Sequence, residues 1–149
     1  MATIHLPPDF KEFFELLRSE GVEYLLVGGF AVNLHGHVRA TGDIDAWVKP
    51  SEENAARLAS VLRRFGLSGA TVDAAALAEP DRVFQIGVPP MRIDLLTGIS
   101  GLEFADAYSR RLATEIDGVS ISVISLDDLR TNKKASGRPQ DLADLDRLT

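Results

Sequence analysis

The stretch from Tyr24 to Val48, YLLVGGFAVNLHGHVRATGDIDAWV, constrains this chain more than any other. Val22 to Val27 is a nearly continuous apolar run of strand length and reads as a buried strand. It runs straight into Gly28-Gly29. Phe30 to His35 then reads as a short helix ended by Gly36, and a second strand begins near Gly42 and carries Asp43-Ile44-Asp45 on to Val48. Successive side chains of a strand point to opposite faces, so Asp43 and Asp45 share one face while Ile44 and Ala46 turn to the core. Two carboxylates side by side repel unless a cation lies between them or one takes a proton.

The rest of the chain alternates in the same way. Phe10, Phe13, Phe14 and Leu17 fall at helical spacing, which predicts a helix over Asp9 to Gly21 with Asp9 as its cap. Ser51 caps a helix whose apolar face is Ala55, Leu58, Ala59 and Leu62, and Gly66 closes it. Asp73 to Glu79 reads as a short helix. Arg82 to Val88 and Met91 to Leu96 read as antiparallel strands joined at Pro89-Pro90. In the second of these, Arg92, Asp94 and Leu96 share a face. A short helix over Leu102 to Ala107 follows, then a strand over Val119 to Ile124. Ser125 caps a helix through Ala135 that Gly137 breaks, and Pro139 opens a last helix to Leu148. Interleaved strands and helices with one strand hairpin predict an α/β or α+β fold, a mixed sheet flanked by helices, with residues 1–149 as one domain.

Charge and composition exclude several function classes. The formal net charge of −6 lacks the basic excess of a protein that tracks duplex nucleic acid. There is no cysteine, hence no disulfide framework and no thiolate metal site. The N-terminus MATIHLPPDF has neither a basic region nor a long apolar one, and no apolar run reaches the length of a membrane span. A soluble cytoplasmic protein without a membrane partner is the expectation.

The candidate chemistry lies in the acids and the glycine turn. Mg²⁺ suits Asp43 and Asp45, because it prefers oxygen ligands and keeps places for phosphate and water; Mn²⁺ can stand in for it. If Asp94 lies on the neighbouring strand, the three acids can hold two metal ions, which together stabilise the attacking and leaving oxygens of a displacement at phosphorus. A glycine turn between a strand and a helix offers bare backbone N–H groups to a phosphate. Each feature also has a plain reading: Asp-x-Asp as solvated strand residues, Gly-Gly as a tight turn. The chain has neither a P-loop nor a dinucleotide fingerprint. Arg39 can touch phosphate and Thr41 can bond a metal-bound carboxylate, or both can cap a loop. Lys133, with Arg130, Lys134 and Arg138, makes either a phosphate-facing patch or a solvated helix end. Arg92 can pair with Asp94 or contact phosphate. Trp47 offers a stacking surface or packs in the core. His35 and His37 read as surface or capping groups, not zinc ligands.

Taken together, Gly28-Gly29, thirteen intervening residues, Asp43-Ile44-Asp45 and the later Asp94 resemble the minimal nucleotidyltransferases of the polymerase-beta-like superfamily. Arg39-x-Thr41-x-Asp43-Ile44-Asp45 is similar to the bacterial branch of antibiotic-modifying and toxin-type members. The segment from Leu126 to Leu148 is similar to their C-terminal part. The resemblance implies transfer of a nucleoside monophosphate from an NTP to a hydroxyl-bearing acceptor (small molecule, protein or RNA end), with release of pyrophosphate. It implies Asp43, Asp45 and Asp94 as catalytic and metal-binding residues, with Gly28, Gly29, Arg39, Thr41 and Lys133 around an NTP such as ATP. Many members carry Ser where this chain has Gly29, so only an amide faces phosphate there. A chain this short leaves an acceptor pocket to be completed by a homodimer or a partner protein. The competing expectation is a non-catalytic binding module of the same fold, such as one component of a toxin–antitoxin pair.

Overall fold

The structure is a computed structural model that describes residues 6–36, 43–65, 74–87 and 92–148. The expectations for Arg39, Thr41, His37, Gly66 and the Pro89-Pro90 link fall outside those residues.

Phe10, Phe13, Phe14 and Leu17 are all buried, and they form the inner stripe of α1 (Pro8–Ser19). Asp9 does not cap this helix. Pro7 occupies the cap position and Pro8 the first turn, where its fixed φ and missing N–H cost nothing, so Asp9 falls inside the first turn. β1 (Tyr24–Val27) is buried along its whole length, as its continuous apolar run requires. It leads without a linker into α2 (Gly28–Leu34), two residues earlier than the apolar pattern suggested. Gly28 makes this possible: its φ of 71° is a conformation that a side chain would strain, and it turns the chain from strand to helix in one step.

β2 (Asp43–Val48) pairs antiparallel with β1, and its other edge pairs parallel with β4 (Arg92–Leu96). β3 (Val83–Ile86) pairs antiparallel with β4, as expected for that hairpin. β6 (Val119–Val123) pairs parallel with β1, and β5 (Leu112–Ile116) pairs antiparallel with β6. The result is a six-stranded mixed sheet in the order β3-β4-β2-β1-β6-β5. β5 was not anticipated. It is an edge strand whose residues are mostly exposed, so it lacks the alternation that marks β6.

Helices flank the sheet: α3 (Glu52–Arg64), α4 (Ala74–Leu77), α5 (Phe104–Ser109), α6 (Leu126–Ser136) and α7 (Pro139–Arg147) join α1 and α2. Ser51 and Ser125 cap α3 and α6 as expected, each hydroxyl accepting a bond from the amide three residues on. Gly137 ends α6 in the left-handed conformation. Buried Asn54 fixes α3 to the sheet. Its amide oxygen accepts from the Glu23 N–H at 2.8 Å, and its Nδ2 donates to the carbonyls of Glu23 at 3.0 Å and Lys49 at 3.1 Å. This holds the start of β1 against the end of β2 and so helps fix their register. Ile44, Ala46, Ile93 and Leu95 are fully or almost fully buried, which places the hydrophobic core behind β2 and β4. The opposite face of these two strands carries the acids.

Candidate active site

The register of two parallel strands assembles the acids. Asp45 lies directly across from Asp94, and Asp43 lies across from Arg92. Asp45 also faces Val27, the last residue of β1 before the glycine turn. All three carboxylates therefore stand on one sheet face at the mouth of that turn. They line a cleft of about 500 Å³, together with Gly28, Arg92, Ser136 and Arg138.

Gly28 is part of this geometry and not only a hinge. A Cβ at Gly28 would sit 2.0 Å from Asp45 Oδ2, closer than any real contact. The bare glycine is what lets the Asp45 carboxylate lie against the turn. Gly29 is buried behind it in the first turn of α2. That helix is only seven residues long, so its dipole adds little, and any anion binding here rests on individual N–H groups.

Electrostatics record the crowding. Burial raises the Asp45 pKa to about 6, reinforced by the charges of Asp94 and Asp43 and by hydrogen bonding with Asp94. Lys133 lowers it by a smaller amount. The group that answers Asp94 directly is Arg92, through bonds of 3.1 Å and 3.2 Å to its two carboxylate oxygens. As the side chains stand, no group of three or more His, Cys, Asp or Glu among the described residues is close enough to hold a metal ion. The donor chemistry nevertheless fits one. Three carboxylates share a cleft with no soft ligand among the described residues, a set suited to a hard divalent cation once Asp94 is free of Arg92.

Lys133 stands behind the cleft and not in it. Its side chain is 5% exposed, and its Nζ lies 3.2 Å from both Asp141 Oδ1 and Asp144 Oδ2. Its influence on Asp45 is through space. Arg138 is the neighbour that does line the cleft; it caps α7, and its exposed side chain grips Asp141 at 2.7 Å. Asp141 also accepts from Ser136 Oγ at 2.7 Å. Burial alone would raise the Asp141 pKa, but Arg138, Ser136 and Lys133 together hold it well below the usual carboxylate range. Arg130 bonds the carbonyl of Leu148, and Lys134 is exposed, as a solvated helix end would have it. Trp47 is core: it is 1% exposed and packs edge-on against Phe104. His35 is used structurally, with Nε2 at 2.8 Å from the carbonyl of Ile124.

A second cleft of about 510 Å³ adjoins the first. Ile99 lines both, and Asp81, Glu103 and Asp106 line the second. None of the three paired acids reaches it. No helix among the described residues is long and apolar enough to cross a membrane.

Comparison with known proteins gives the fold and site a context. Residues 9–148 match the model of a family described as nucleotidyltransferase of unknown function (DUF6036). No curated protein matches the chain. Among solved structures, a Thermotoga maritima protein described as a "putative nucleotidyltransferase" superposes with a TM-score of 0.61 at 17% identity, covering 93% of this chain and 88% of that one. At that identity the likeness speaks for the fold alone.

Proposed function

Because this chain belongs to the family described as nucleotidyltransferase of unknown function, spanning all but its ends, we propose that it moves a nucleoside monophosphate from an NTP to a hydroxyl-bearing acceptor and releases pyrophosphate. The observation that carries this reading is the β2–β4 register. It sets Asp45 beside Asp94 and lines both, with Asp43, along one open cleft. Asp43, Asp45 and Asp94 would hold Mg²⁺ or Mn²⁺ there. When bound, the metal neutralises phosphate charge and supports the displacement at the α-phosphorus.

The chain's own residues do the remaining work. Gly28 keeps the approach to Asp45 clear of side chain. Among the described residues, Arg92 and Arg138 are the cations that line the cleft, and their planar forks suit phosphate oxygens. Asp94, once released by Arg92, would accept the proton of an acceptor hydroxyl as its oxygen attacks phosphorus. The adjoining cleft, which meets the acid-lined one at Ile99, would take part of an acceptor. The branch of antibiotic-modifying and toxin-type enzymes remains the working choice for the acceptor search. A non-catalytic module would tolerate dispersed acids or a filled cleft, and no observation favours it.

The test is to incubate the protein with labelled NTPs, Mg²⁺ and cell extract, then identify products that gain the mass of a nucleoside monophosphate. The proposal expects such products, with pyrophosphate, and their loss in Asp43→Ala. Products that persist unchanged in that variant would refute the assignment of the site.

A further inference from the structure

The cleft contains a cation that the sequence pattern left between two readings, pairing with Asp94 or contact with phosphate. Arg92 and Asp94 lie two residues apart on β4 and share its acid-bearing face. The guanidinium meets the carboxylate through two bonds, Nε to Oδ1 at 3.1 Å and a terminal nitrogen to Oδ2 at 3.2 Å. Both oxygens that Asp94 would offer a metal ion are therefore engaged. Across the sheet, Arg92 faces Asp43 while Asp94 faces Asp45, so the cation completes a four-cornered frame with the three acids. Arg138, the other cation lining the cleft among the described residues, is bound to Asp141 and cannot take this place without leaving it.

We infer that Arg92 is a resident counterion of the acid cluster: it clamps Asp94 in the metal-free protein, yields that carboxylate when a divalent cation enters, and turns to the phosphates of the incoming nucleotide. This rests on the metal–nucleotide reading of the site. The physical reason is competition. A guanidinium and a divalent cation need the same oxygens, and like charges at contact distance repel. Once displaced, the fork needs an acceptor of carboxylate-like geometry, and a phosphate group supplies one. The Arg92 side chain is 33% exposed, so it has open space in which to swing. A clamp of this kind also offsets part of the repulsion among the acids while no metal is bound. It ties metal entry to nucleotide binding, because Arg92 loses its carboxylate at the moment a new anion arrives.

Two binding measurements on Arg92→Gln and Arg92→Lys test this. One titrates Mn²⁺ alone, followed by the resonance of free Mn²⁺. The other titrates a non-hydrolysable NTP at saturating Mn²⁺. Arg92→Gln is expected to bind Mn²⁺ alone roughly tenfold more tightly than the parent, and the nucleotide roughly tenfold more weakly. Arg92→Lys keeps the charge but not the fork, and is expected to shift both in the same directions by less. If Gln proves too disruptive to fold, the Lys variant carries the test alone. Mn²⁺ affinity unchanged or weakened in the variants, or nucleotide affinity unchanged, would overturn the clamp. Failure of the underlying reading looks different: parent and Asp45→Asn would then bind Mn²⁺ alike.

Discussion

Burial and two flanking carboxylates put Asp45 under electrostatic stress, with its pKa raised to about 6. Stress of this kind is a cost to the ligand-free fold, and the proposed metal–nucleotide site would account for its being kept. Asp45→Asn keeps the shape and removes one repelling charge. It is therefore expected to stabilise the ligand-free protein by about 1–2 kcal/mol while abolishing Mn²⁺-dependent nucleotide binding. Paired thermal melts and nucleotide titrations check both halves, and a variant that loses stability along with binding would contradict the account. Gly28→Ala should behave differently. It puts a Cβ onto Asp45 Oδ2 and forces alanine to a φ of 71°. A loss of about 2 kcal/mol in urea unfolding is expected, together with weakened nucleotide binding. The shared face of Asp43 and Asp45 was legible from sequence because strand alternation alone sets it, whereas the arrival of Asp94 beside them depends on strand pairing. The same parity put Arg92 on the face of Asp94, but left its pairing with that acid as one of two readings.

At the scale of elements, the α6–α7 corner supports the cleft from behind. Lys133 reaches from α6 to Asp141 and Asp144 on α7, and Arg138 closes the junction onto Asp141. Sequence alone left this open, since a lysine near a helix C-terminus is ordinarily solvated. The available signal was the matching spacing of Asp141 and Asp144, three residues apart on the following helix and so on one face of it. Asp141 is held below its ordinary pKa of 3.8 in the folded state. Its contribution is therefore complete above that value and is lost as pH falls toward the lower folded one. Asp141→Asn is expected to cost about 3 kcal/mol at pH 7, because it leaves Lys133 with less compensation in a buried position. In denaturant titrations from pH 7 to pH 3, the parent should lose more stability below about pH 4 than this variant does. Parallel curves would show that Asp141 is not the responsible group.

For the whole molecule, the interleaving of strands and helices was enough to predict the mixed sheet with its flanking helices, and the sheet order explains why the site forms. β2 sits between β1 and β4, so one strand brings the glycine turn and another brings Asp94 to either side of Asp45. That adjacency is a property of topology, which no local pattern contains. The same is true of β5, whose exposed edge position removes the periodicity that would have marked it. The central claim is that Asp43, Asp45 and Asp94 converge on a metal–nucleotide complex. The most direct test is a crystal structure grown with Mn²⁺ and a non-hydrolysable NTP, read by the anomalous signal of manganese. The account predicts manganese bound by these three carboxylates with the triphosphate beside Gly28. Manganese and nucleotide bound elsewhere, with the acids untouched, would contradict it.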